Sequence, residues 1–289
     1  MENTLVDKRQ KTEMVLGNIY NLPAASNIMW EVSKLLNDPA TNTNALSRLI
    51  GKDQALSTKI LSIANSPLYG LPRKVSTIDF AILIIGFQDI KNIVIALSMI
   101  ESFKNKTDKN LDQQEFWTHS FVTANLAKRF AEDLNIDFSG EAFVAGLLHD
   151  LGISVMHKYF HSSFEKIVER VSNSGTDYLS AEREELGMDH QEIGAYLTDK
   201  WNLPDSLCGA IRHHHHPEKC ESSKVLTSIV SLADFATKKL EAGDFYMDKF
   251  LSTNPSVINI LKFSGEEEMM NFIEQYKNIL AEEDINLKV

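Results

Sequence analysis

The chain has 289 residues, 43% hydrophobic and 24% charged, as expected of a globular protein with a sizeable core in one or two domains. No apolar run approaches the roughly 20 residues that span a bilayer, the N-terminus has no apolar signal core, and two cysteines argue against a disulfide framework, so a cytoplasmic protein with no membrane segment is expected. The net charge of −11 is uneven, +2 over residues 1–105 and −13 over 106–289, which makes the chain a poor candidate for binding duplex DNA through its phosphates.

Sustained two-residue alternation is absent, so an all-α fold is expected. Ser26 can cap a helix with Ile28, Val32, Leu35 and Leu36 on one face, stopped at Asn37-Asp38-Pro39. Asn42 or Asn44 opens a second helix, with Leu46, Leu49 and Ile50 inward, and Asp53 opens a third with Leu56, Ile60, Leu61 and Ala64. Asn65 to Lys74 is dense in turn formers, yet Leu68, Tyr69 and Leu71 are too apolar to hang in water, so Tyr69 and at least one of these leucines should pack where two lobes meet. Helical patterns resume over 77–85 and 90–103. The polar stretch 104–113 reads as a boundary, and helices follow at about 114–134, 140–149, 160–173, 190–201, 205–214 and 223–242, then a helical tail from Asp244.

The stretch from Glu141 to Gly152 reads as a buried helix closed by Gly152, with His149-Asp150 at its end. Both side chains lose hydration there, and a metal ion would serve them together. The plainer reading is a hydrogen-bonded core histidine and an aspartate capping the next helix. Ligand-type residues recur further along. Glu115 and His119 share a helix face at i, i+4, His190 starts a helix, His213 to His216 close one, and Asp234 lies on an apolar face. Imidazole and carboxylate without thiolate suit iron, manganese, zinc or nickel. His157 and His161, also i, i+4 but separated by Lys158, read as solvent-facing.

In this order, His119, His149-Asp150, His190, a histidine pair near 214 and Asp234, the chain resembles the HD superfamily of metal-dependent phosphohydrolases. Leu22-Pro23, the run from Lys59 to Arg73, Ser76 to Ala81 and Ile84 to Gly86 narrow the likeness, which spans about residues 15–240, to the HDOD family. The resemblance implies an N-terminal helical bundle lobe (1–105), an HD-type helical lobe (106–243) and a helical extension (244–289). Carried over from the related HD-GYP phosphodiesterases, it implies a metal site of Glu115, His119, His149, Asp150, His190, His214, His215 and Asp234. Two divalent ions are expected there, with Asp150 as the bridging and catalytic residue. It further implies a bacterial signalling or regulatory module whose partner is a signalling protein or a nucleotide ligand. The alternative is a phosphohydrolase acting on a nucleotide or cyclic dinucleotide. Two features of the enzymes are missing: Ile153 stands where they have lysine, and no Gly-Tyr-Pro follows the histidine pair.

Overall fold

The computed structural model describes residues 2–19, 31, 35, 41–66, 71–242 and 252–281, and every regular element among them is helical. Helix α1 (Glu2–Ile19) is followed by α2 (Thr43–Ile50), α3 (Gln54–Ala64), α4 (Ile78–Ile85) and α5 (Phe87–Phe103). Three of the starts are fixed by side-chain caps. Asn42 accepts from the Ala45 amide (3.0 Å), Asp53 from Leu56 (3.0 Å) and Thr77 from Phe80 (3.3 Å). Each cap satisfies an amide that the first helical turn leaves without a partner. Gly86, at φ 105°, makes the reversal between α4 and α5, a conformation that costs a side-chain-bearing residue strain.

The helix expected from Ser26 lies mostly outside the described residues, although Glu31 and Leu35 are helical. Leu68 and Tyr69 lie outside them as well, while Leu71 packs against the core. The two ends of that loop are tied by Asn65. Its Nδ2 donates to the carbonyls of Leu61 (2.7 Å) and Val75 (2.8 Å), and its Oδ1 accepts from the Val75 amide (2.7 Å).

After the polar stretch come α6 (Gln113–Asp133), α7 (Ser139–Leu148), α8 (Leu151–Tyr159), α9 (His161–Ser174), α10 (Tyr178–Leu186), α11 (His190–Lys200), α12 (Asp205–His213) and α13 (Lys224–Lys239). Helix α6 packs on α7 and α13, and α11 packs on α8 and α12. Helix α5 lies against α7 and α8, so the lobes share one core; Phe103 stacks on Trp201 with ring centroids 5.4 Å apart. Helix α1 docks on α10 and α11, where Thr12 Oγ1 donates to the Leu186 carbonyl (2.7 Å) and Arg9 pairs with Glu192 (2.6 Å). The tail adds α14 (Ser256–Ile260), α15 (Glu266–Glu274) and α16 (Lys277–Ala281), anchored by buried Tyr276, which packs on Phe130 and donates to Asp133 (2.5 Å).

Three helices were not expected: α1, α8 and α10. Residues 151–157 of α8 are all buried, so no amphipathic period marks this helix in the sequence. Helix α10 buries only Ala181, Glu182 and Leu186, and its boundaries come from the Asp177 cap and Gly187 at φ 74°. Gly152 does not end a helix, as its position suggested. It lies in the first turn of α8, where a Cβ would fall 2.0 Å from the His190 carbonyl oxygen. His157 is buried rather than solvent-facing, because α8 is enclosed on all sides.

Candidate metal centre

Asp150 decides between the two readings of the His149-Asp150 pair. It occupies the N-cap position of α8, yet its side chain makes no capping hydrogen bond. Instead its two oxygens face two groups of imidazoles. Oδ2 lies 3.2 Å from His149 Nε2 and 3.9 Å from His119 Nε2, and Asp234 Oδ1 completes this side at 3.3 Å from His119 and 3.7 Å from His149. Oδ1 lies 3.4 Å from both His190 Nε2 and His214 Nε2, and His215 Nε2 is 3.1 Å from His190 Nε2. Atoms bound at about 2.0–2.1 Å to one tetrahedral ion stand roughly 3.3–3.4 Å apart. The pair distances above, 3.1–3.9 Å, lie around that spacing, and His214 also groups with His149 and Asp234.

Helix geometry accounts for the convergence. His149 and Asp150 sit in the tight α7–α8 junction, His190 is the first residue of α11, and His214 and His215 follow α12. His119 and Asp234 project from the middles of α6 and α13, the pair packed on each other across the lobe. The absence of a side chain at Gly152 lets α8 approach α11 closely enough to bring Asp150 to His190.

The orientation of the rings favours a cation. His149 Nδ1 donates to the Gly146 carbonyl (2.7 Å), His214 Nδ1 to the Ile211 carbonyl (2.8 Å), and His190 Nδ1 to Glu182 Oε2 (2.8 Å). With the protons held on Nδ1, the Nε2 lone pairs point inward at one another, an arrangement that needs a positive charge between them. Asp150 Oδ1, Asp234 Oδ1 and His214 Nε2 are buried with no hydrogen-bond partner. Such orphans are rare without an ion or water to serve them. The residues therefore fit divalent ions.

Glu182 escaped the sequence reading, lying in a helix with no legible period. It is fully buried, and it also accepts from the His190 backbone amide (2.9 Å). A capping box between Asp189 and Glu192 fixes the start of α11, with Arg183 paired to Asp189. Glu182→Gln should keep the fold but weaken metal affinity about 10- to 100-fold, the usual cost of losing a carboxylate behind a ligating imidazole. Isothermal titration with Zn²⁺ would measure it.

Without metal, protons take the place of the ions. Burial lowers the His149 pKa, but Asp150 and then Asp234 outweigh it and hold the ring well above the usual imidazole range. Burial lowers His190 too, and Glu182 beside it overcomes this, raising it to about 9. Burial and neighbouring imidazoles push His214 and His215 down, leaving them neutral. In the metal-free chain His190 therefore contributes stability that is fully present below its unfolded pKa of about 6.5 and fades as pH rises through about 9, and His149, held well above 6.5, contributes in the same direction. Metal binding runs the other way, since the ions displace these protons. Chelator-treated protein should melt lower at pH 9 than at pH 6.5, and the stabilisation gained on adding Zn²⁺ should grow over that range.

Glu115 is not brought in. It is exposed on the first turn of α6, where its amide donates to Asp112 (3.1 Å). The grouped ligands are His119, His149, Asp150, His190, His214, His215 and Asp234. His213 points away from them, half-exposed.

Known proteins share this arrangement of helices. A crystal structure of an HDOD domain protein of unknown function from Geobacter sulfurreducens superposes with a TM-score of 0.75 over 98% of this chain and 99% of that one, at 24% identity. A protein from Shewanella amazonensis SB2B, provisionally named a phosphohydrolase, superposes with a TM-score of 0.70 over 92% and 95%, at 23% identity. At these identities the likeness is one of fold. In sequence, an uncharacterized protein of Treponema pallidum is 25% identical over 239 residues, 80% of this chain and 45% of that protein. Ribonuclease Y of Aquifex aeolicus is 31% identical over 121 residues, 42% of this chain and 16% of the enzyme. The chain thus spans less than half the length of these curated relatives. The HDOD domain profile matches residues 22–217, from before α2 to just past the His214-His215 pair, and with two-thirds of its length inside that match the chain belongs to the HDOD family.

Proposed function

We propose that this chain is a regulatory HDOD module built around a two-ion metal centre, with His119, His149, Asp150 and Asp234 holding one ion, and Asp150, His190, His214 and His215 the other. The observation that carries this reading is the position of Asp150, whose two oxygens each face a separate set of ligands. Bound there, divalent ions would tie together five segments of the chain, and metal occupancy would set how rigidly α11 and α12 are held. The burial of the ligands supports a regulatory or structural use: among His119, His149, Asp150, His190, His214 and Asp234 no side chain is more than 4% exposed. The residue after Gly152 is buried Ile153, which can give a substrate phosphate no positive charge.

A second reading, hydrolysis of a phosphodiester, draws on the likeness to ribonuclease Y, although that covers only 16% of the enzyme. When bound, a pair of divalent ions supplies Lewis acidity toward a phosphoryl group. The chain's own contribution would be to position the ions through Asp150 and to exclude water with the surrounding helices. The test is to purify the full chain without a histidine tag, count its metals, and screen it against RNA, a cyclic dinucleotide and bis(p-nitrophenyl) phosphate. The regulatory reading expects about two ions per chain that Asp150→Ala loses, and no turnover above that of Asp150→Ala. Turnover abolished by Asp150→Ala would move the assignment to the second reading.

A further inference from the structure

The segment 104–112 and the α8–α9 corner hold a second group of ligand-type side chains, distinct from those of the centre. Asp108 lies in the polar stretch 104–112, His157 in the last turn of α8, and His161 begins α9. Asp108 Oδ1 is committed to its own turn, accepting from the amides of Asn110 (2.8 Å) and Leu111 (3.1 Å). Oδ2 is thereby aimed at both histidines, 3.1 Å from His157 Nε2 and 3.5 Å from His161 Nε2.

The tautomers point to a missing cation. His161 Nδ1 donates to the His157 carbonyl (3.2 Å), which leaves the Nε2 lone pair facing the carboxylate. His157 is 1% exposed, and its Nε2 is buried without a hydrogen-bond partner despite its nearness to Asp108. On its other side, two amide nitrogens, Asn105 Nδ2 (3.3 Å) and Gln113 Nε2 (3.4 Å), crowd the single Nδ1, while the buried Gln113 Oε1 has no partner. Turning over both amides removes this conflict: the side-chain oxygens of Asn105 and Gln113 then accept from Nδ1–H, and Nε2 becomes a lone-pair donor. Three lone pairs then meet at the spacing of ligands around a small divalent ion.

We infer that Asp108, His157 and His161 form a peripheral divalent-metal site, separate from the centre at Asp150, that fastens the segment between the lobes to the α8–α9 corner. Two imidazoles and one carboxylate at a half-exposed site, with water completing the shell, suit zinc or a similar borderline cation. The position gives the ion a mechanical consequence. Lys158 Nζ already donates to the carbonyls of Ser102 (2.9 Å) and Lys104 (3.1 Å), so an ion at Asp108 would hold the second half of a segment whose first half is pinned.

The test compares the full-length chain with His161→Asn and Asp108→Asn. His161 is surface-exposed, and Asn at 108 retains the Oδ1 acceptor that makes the turn, so both variants should fold. Zn²⁺ titration followed by native mass spectrometry should find one ion fewer in each variant than in the wild type. Zn²⁺ should slow proteolytic cleavage within 104–112 severalfold in the wild type and in neither variant. An unchanged ion count in either variant, or equal protection of all three proteins, would overturn the site. Because the Asp150 ligands are untouched, failure here would leave the two-ion centre standing.

Discussion

Asp150→Ala is expected to empty the metal centre and lower the melting temperature by on the order of 10 °C. The carboxylate presents one oxygen to each ligand group, so its loss would remove one ligand from each proposed ion at once. An ion present at a thousand times its dissociation constant stabilises the fold by about 4 kcal/mol, and in a chain of this size each kcal/mol corresponds to about 2–4 °C. The comparison that isolates this effect is with chelator-treated wild type. Once metal is stripped, most of the difference in melting temperature between the two proteins should vanish. If it persisted in full, Asp150 would be acting through packing and proton sharing alone.

Gly152→Ala should be as damaging without touching a ligand. Its Cβ would lie 2.0 Å from the His190 carbonyl oxygen, 2.7 Å from the carbonyl carbon and 2.8 Å from the Cα. These are backbone atoms in the capped first turn of α11, so no side chain can swing aside, and α8 must separate from α11. Overpacking of this kind costs upward of about 3 kcal/mol where the surroundings cannot relax. The same separation would draw Asp150 away from His190. Circular dichroism melting and metal content should fall together. A variant with wild-type stability would show that the two helices do not meet as closely as the structure has them.

Much of this was legible in the chain. The cap at Asp53 could be read, and Asn42 was one of two candidates for the helix before it, because an N-cap acts over three residues. Asp234 could be read as inward-facing because its neighbours Leu232 and Ala233 are apolar, and it is buried. Other features were hidden for physical reasons. Helix α8 is buried on every face, so it carries no period, and Gly152 resembled a helix stop because the sequence cannot show that another backbone lies against it. Glu115 shares the spacing of a ligand with His119, but one turn nearer the helix end it reaches solvent instead. Glu182 was invisible because its partner is defined by the packing of α10 on α11, not by any local pattern. His157 looked exposed beside Lys158, whose amine in fact folds over the carbonyls of Ser102 and Lys104.

In the proposed centre Asp150 joins two ion sites, and removing one ligand from each side tests this directly. Metal content per chain would be measured by elemental analysis in tag-free wild type, His119→Ala, His215→Ala and Asp150→Ala. The expected counts are about two ions in the wild type, one in each histidine variant and none in Asp150→Ala, over whatever the peripheral site holds in all four. If His119→Ala and His215→Ala each emptied the centre completely, or if neither changed the count, the ligands would not be divided into two sites about a shared carboxylate.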